Sequence, residues 1–205
     1  MYVNEEVNVS EVFPEIYNIV REKTEIQLDK VTPETDQVIL NGYINYNILY
    51  YTNDSDMVYG IEGEIPFEET LRIGNTDENS IVDVKMEVDS SNVKLYNSRK
   101  FALRAEILIS AVSEGLESIE FPDKMENSRG MEVLNDTVET MSVVAEQTEN
   151  IRIKESVYIP GVKPAADRIV WKELKLKNVT SRVNDGMINV SGEMYVFIMY
   201  LPEEA

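Results

Sequence analysis

The stretch "VILNGYINYNILYYTND", residues 38–54, places Val38, Leu40, Ile44, Tyr46, Ile48 and Tyr50 at one parity. Asn41, Tyr43, Asn45 and Asn47 fill most of the other parity. A repeat of two is the spacing of a half-buried strand, whereas a helix needs apolar residues three and four apart. Gly42 stands where the apolar face would continue, which marks a bulge or a close backbone approach. Near the end of the chain, "INVSGEMYVFIMYLPEE", residues 188–204, repeats the device. Ile188, Val190, Met194, Val196, Ile198 and Tyr200 share a parity with Gly192, and the opposite parity is also apolar: Tyr195, Phe197, Met199 and Leu201. The two glycines are 150 positions apart, and the same offset relates Pro14 to Pro164, Ile19 to Ile169, Val20 to Val170, Glu5 to Glu155 and Val7 to Val157. Alternation alone would make any two strands look alike, but it would not hold prolines and glycines at one offset, so the chain is read as an internal repeat.

Other segments also favour strands. "EGEIPFEETLRI" aligns Ile65, Phe67, Leu71 and Ile73; "IVDVKMEVDSSNVKLYN" alternates through Val82, Val84, Met86 and Val88; "KFALRAEILISAV" aligns Phe101, Leu103, Ala105, Ile107 and Ile109. Turn-rich runs such as "TNDSD" and "IGNTDENS" separate them. Helix is confined to short turns after Pro14, in "EIYNIVREK" with Ile16, Ile19 and Val20 inward, and after Pro164, in "PAADRIVWKE". Residues 131–145 are open to either reading: Met131, Leu134, Val138, Met141 and Ala145 have helical spacing, while their β-branched neighbours favour a strand. The expected fold is mostly β, with antiparallel sheets in a β-sandwich-like arrangement, one or two short helical turns, and a tandem repeat. The expected division is a first unit over 1–117, an acidic linker with the leading strand or helix of the second unit over 118–150, and an incomplete second unit over 151–205. Glu114, Glu117, Glu120, Asp123 and Glu126 give the connector its acidity, which suits a solvated loop.

Composition narrows the chemistry. The chain has 205 residues, 43% hydrophobic, with a formal net charge of −19. A surface that acidic repels phosphate backbones and anionic membranes, so neither nucleic acid nor membrane insertion is expected. With no Cys and no His, disulfides, thiolate chemistry, nitrogen- or sulfur-ligated zinc and imidazole proton transfer are excluded. "MYVNEEVNVS" has neither the basic nor the apolar region of a secretory signal, and no apolar run reaches transmembrane length. Carboxylate pairs can hydrolyse glycosides, but no motif singles out a pair among 38 acidic residues, so no enzymatic activity, cofactor or metal site is expected. Asp54 and Asp56 in "NDSDMVYG" superficially suggest a calcium loop, yet the full ligand spacing is missing and a hairpin turn is the plainer reading. Arg99, Lys100 and Arg104 form a basic spot whose ordinary reading is salt bridging, with docking of an acidic partner as the sharper one. Trp171, the sole tryptophan, is expected in the core.

In order and spacing, "IVREKTEIQLDKVTPETDQVILNGYINYNILYY", "EGEIPFEETLRI" with Pro66 and Phe67, and "LYNSRKFALRAEILISAV" with Asn97 and Arg99 resemble a SPOCS domain. This family occurs in clostridial spore-coat and spore-morphogenesis proteins, one of which partners the ATPase of the coat's basement layer. The resemblance covers residues 14 to about 112. It resumes at "IKESVYIPGVKPAADRIVWKELKLKNVTSRVNDGMINVSGEMYVFIMY", which resembles the opening half of a second unit. It implies a structural component of the spore coat or spore surface, made in the mother-cell cytoplasm and acting at the forespore surface. Such a component would assemble through protein–protein contact, with itself or with a morphogenetic protein, the coat ATPase included. A glycan-binding module on peptidoglycan or cortex, with Tyr43 and Tyr51 stacking on sugars, is the competing class. Nothing resembles the LysM module that some family members carry.

In the first unit a turn and the strand "EGEIPFEETLRI" follow the quoted strand, whereas the chain stops at "LPEEA" after the second. An unpaired strand edge invites pairing. Three outcomes stay open: a fragment of a longer protein, cover by the chain's own N-terminal segment, or cover by a neighbouring copy through strand exchange. "YVNEEVNVSEVF" aligns Val3, Val7, Val9 and Phe13 as a covering strand. The expected partner-binding residues are therefore Val3, Val7 and Val9, the face Tyr195, Phe197, Met199 and Leu201, and the basic Arg99 and Lys100.

Overall fold

A computed structural model describes residues 1–53, 57–114, 130 and 152–203. Asp54, Asp56, most of the acidic connector and the ambiguous segment 131–145 lie outside the described residues.

The described residues form eight strands: β1 (Tyr2–Asn8), β2 (Asn18–Glu34), β3 (Gln37–Tyr51), β4 (Val58–Arg72), β5 (Ile81–Asn97), β6 (Lys100–Glu114), β7 (Ala166–Asn184) and β8 (Met187–Pro202). They build three antiparallel sheets in the orders β1-β6-β5, β2-β3-β4 and β7-β8. The chain divides into one unit of Met1–Leu116 with Pro164–Ala205 and another of Glu117–Lys163, most of which lies outside the described residues.

The first two sheets pack face to face because their strands carry one apolar parity each. From β3, Val38, Leu40, Ile44 and Ile48 point inward and are fully buried. Ile44 meets Leu103, Ala105 and Ile107 of β6, with Val3, Ile26, Phe67 and Met86 packed around them. Ile48 and Tyr50 meet Phe101, Val9, Ile16 and Ile61. Tyr46 bridges the two groups and stands edge-on to Phe101, with ring centroids 5.7 Å apart. Gly42 is required by this packing: a Cβ there would strike the Gln27 carbonyl and the Phe67 ring that lies across it.

The expected helical turns are absent among the described residues, which contain no helix. After Pro14 the backbone finds distant partners: Ile16 N–H donates to Ser98 O (2.9 Å) and Tyr17 N–H to Tyr51 O (3.0 Å). Strand β2 then begins, and β7 begins likewise soon after Pro164. Both openings contain an Ile-Val pair, Ile19-Val20 and Ile169-Val170, whose β-branching favours extended backbone. Val20 is exposed rather than inward, because the register slips between Ile19 and Arg21.

The 150-residue offset is a structural repeat. β2–β3 and β7–β8 are both hairpins with two-residue loops, closed by Glu34 opposite Gln37 and by Asn184 opposite Met187. Bulges fall between Ile19 and Arg21 and between Ile169 and Trp171. A second pair falls between Leu28 and Lys30 and between Lys177 and Thr180. Tyr50 Oη donates to Pro14 O and Tyr200 Oη to Pro164 O, each at 3.0 Å. In the second loop, Asp185-Gly186, φ is 51° and 76°. Both values fit the turn whose twist matches that of the flanking strands.

Candidate assembly surface

The β7–β8 hairpin is seated at its root and open beyond it. At the root Trp171 is buried with Leu49, the outward-facing residue between Ile48 and Tyr50, and Val170; Val58, Met199 and Leu201 pack around them. The Val170 carbonyl occupies the place a Cβ of residue 60 would need, so only Gly60 admits β7 this close. Polar contacts fix the seat. Trp171 Nε1 donates to Glu173 Oε1 (2.8 Å), which also accepts from Arg21 (2.7 Å), while the Arg21 guanidinium lies 5.0 Å from the centre of the Trp171 ring. The hydrogen bond from Trp171, aided by the charges of Arg21, Lys23 and Lys175, holds the Glu173 carboxyl below the usual carboxylate range. Lys172 pairs with Glu62 at 2.7 Å, and Arg168 covers the Tyr59 ring at 5.0 Å.

Past this seat the hairpin has no cover among the described residues. The β8 positions that match buried β3 residues are exposed: Ile188 is 70% accessible and Val190 61%, where Val38 and Leu40 are at 0%. Met194, Val196 and Ile198 follow, and on β7 so do Leu174, Leu176 and Val183. The opposite parity is open as well, through Tyr195 and Phe197. β3 is flanked on both edges, by β2 and β4, whereas among the described residues β8 is flanked by β7 alone. Among the described residues the atoms nearest to a Cβ at Gly192 are those of Val179 and Lys177 across its own hairpin, where Gly42 meets the Phe67 ring. Among the strands at sheet edges, β8 is also the least protected by charge. Its single ionisable acid or base is Glu193, whereas β4 carries Glu62, Glu64, Glu68, Glu69 and Arg72, and β5 carries Asp83, Lys85, Glu87, Asp89 and Lys94.

The residues expected to bind a partner fall in two places. Val3 and Val7 sit on β1, which pairs with β6 from Tyr2 opposite Glu106 to Asn8 opposite Lys100. Their side chains pack on the sandwich core. Val9 is buried and donates its N–H to Arg99 O (2.8 Å). The N-terminal segment thus closes the first unit's own sheet rather than β8. Arg99 donates to Phe13 O (2.6 Å) and Ser10 O (3.3 Å) and reaches Glu15 at 3.4 Å, so it fastens the β1–β2 connection to the β5–β6 turn. Lys100 pairs with Glu6, and Arg104 donates to Asn4 at 3.2 Å. On β8 the expected face divides: Met199 and Leu201 belong to the root, and Tyr195 and Phe197 to the open surface. Tyr51 leans on Tyr17 with centroids 5.7 Å apart and accepts from Asn18 at 3.2 Å. Ile188, Val190 and Val196 share the parity that is buried in β3, so the alternation alone does not mark them as surface. The available signal was that no partner sheet for them could be named.

Comparison with known families places residues 15–96 in a match to the family described as SipL, SPOCS domain. The match takes in β2, β3, β4 and nearly all of β5, and ends before β6 and the β7–β8 repeat. No curated protein and no solved structure matches the chain.

Proposed function

Taking as premise that residues 15–96 form a SPOCS domain, we propose that this chain is a structural protein of sporulation that works through protein–protein contact. It acts at the forespore surface within the mother cell and is incorporated into the coat or spore surface. One observation carries the contact-based reading: the β7–β8 hairpin holds itself to the sandwich by Trp171 yet leaves Ile188, Val190, Tyr195 and Phe197 exposed on its two faces. Isolated apolar side chains on a surface are ordinary, but a contiguous two-sided strip on an unpaired strand marks an interaction site. The acidic balance of the rest of the chain, with a net charge of −19, keeps association specific to that strip by repelling indiscriminate contacts.

The test is retention of proteins from sporulating cells on the immobilised full chain, beside sedimentation with purified peptidoglycan. Recovery of a coat morphogenetic protein or of the chain itself supports the reading. Retention on the glycan with no protein partner replaces it with the glycan-binding one. A fluorescent fusion that fails to collect around the forespore removes the assigned location.

A further inference from the structure

The occupant of the β8 edge can be specified, an inference that rests on the contact-based reading above. We propose that β8 pairs antiparallel with β8 of a second copy, joining two β7–β8 hairpins into one four-stranded sheet about a twofold axis.

Three observations select a second copy. The internal repeat shows what this edge is built for: the matching edge of β3 is occupied over its whole length by an antiparallel strand, β4, from Gln37 opposite Arg72 to Tyr51 opposite Val58. An antiparallel edge is self-complementary, because a strand turned by a twofold axis presents its own unpaired N–H and C=O groups in matching order. Charge then permits like to meet like. The chain as a whole carries −19, but within the hairpin the bases Arg168, Lys172, Lys175, Lys177 and Arg182 outnumber the acids Asp167, Glu173, Asp185 and Glu193 by one. Two acidic molecules that meet through their hairpins thus bring together segments of little net charge. β8 adds only Glu193 to that meeting, so the axis falls away from Glu193, where two carboxylates would otherwise stand opposite each other. Joining the strands also sets the two strips of Ile188, Val190, Met194, Val196 and Ile198 side by side on one face of one sheet.

The assembly is tested by sedimentation velocity of the full chain, with a disulfide scan on its cysteine-free background. The expected result is a dimer. Single substitutions Asn189→Cys, Ser191→Cys, Tyr195→Cys and Phe197→Cys should cross-link with a yield that peaks at one position and falls away on both sides. The double variant Val190→Lys/Val196→Lys, both side chains exposed in the free hairpin, should be monomeric with an unchanged far-ultraviolet circular dichroism spectrum. A monomer at the highest soluble concentration overturns the proposal. So does equal cross-linking at every position, the mark of parallel in-register stacking, and so does open-ended polymer that persists in the lysine variant. A wild-type monomer that still captures a coat protein overturns this inference alone. A monomer retained only by peptidoglycan overturns the contact-based reading with it.

Discussion

At the scale of single residues the sandwich is held by a few polar groups whose partners are set by the fold. Glu22 lies between the sheets and accepts from Val93 N–H at 2.9 Å, yet burial raises its carboxyl above the ordinary value, the hydrogen bond only partly opposing that. A carboxyl raised in the folded state binds more protons there than when unfolded, so its contribution weakens as pH climbs from about 4.5 through the raised value. Glu22→Gln keeps an acceptor for Val93 and drops the charge. The variant should melt higher than the parent at pH 7, with the difference closing toward pH 4, as thermal melts across that range would show. Tyr50 and Tyr200 form a second controlled pair, since both hydroxyls donate to a proline carbonyl at 3.0 Å. Tyr50 is fully buried, and desolvation, with Tyr59 beside it, pushes its hydroxyl up to about 12. Its removal leaves the Pro14 carbonyl unsatisfied, so Tyr50→Phe should cost about 1–3 kcal/mol in urea unfolding. Tyr200→Phe, at a solvated position, should stay within about 0.5 kcal/mol.

At the scale of elements the root of the hairpin separates from its blade. Trp171→Ala removes the side chain that Leu49, Val58, Met199 and Leu201 surround, a loss of about 3–5 kcal/mol for a buried aromatic. The consequence should be local. Amide exchange should accelerate throughout β7 and β8 while the amides of β3 and β6 keep their protection, because those two strands are the central members of their own sheets. The strands themselves were legible in the sequence. Period-two patterns located β3, β4, β5, β6 and β8, and the paired glycines and prolines revealed that β7–β8 copies β2–β3. The two helical turns were not legible as strands, since Ile16, Ile19 and Val20 stand three and four apart, the spacing of a helix. What settles them is bonding from Ile16 to Ser98 and from Tyr17 to Tyr51, partners far away in the chain. The candidate surface was half legible for a similar reason. The exposed aromatics Tyr195 and Phe197 stand out because their parity ought to be polar. Ile188 and Val190 look like core residues until it is seen that no sheet faces them. The basic spot at Arg99 read as a docking site or as salt bridges, and its contacts with Phe13, Ser10 and Glu15 depend on how the N-terminal segment folds back.

At the scale of the whole molecule, an acidic body carries a nearly neutral blade. If two blades join, the bodies repel at long range, and that repulsion is screened over about 8–10 Å at 0.10–0.15 M salt. Raising the salt from about 20 mM to 500 mM should therefore strengthen the dimer several-fold, measured as a lower dissociation constant by sedimentation equilibrium. A contact held chiefly by ion pairs would respond in the opposite sense. The placement of the one indole gives the molecule a built-in reporter. Trp171 sits where the blade is seated, under the Arg21 guanidinium, and the sandwich contains no other indole. Its emission follows the seating of β7–β8 and is blind to the core around Ile44 and Phe101. Unfolding followed by tryptophan emission and by circular dichroism should separate into two transitions, with the blade lifting away before the body opens.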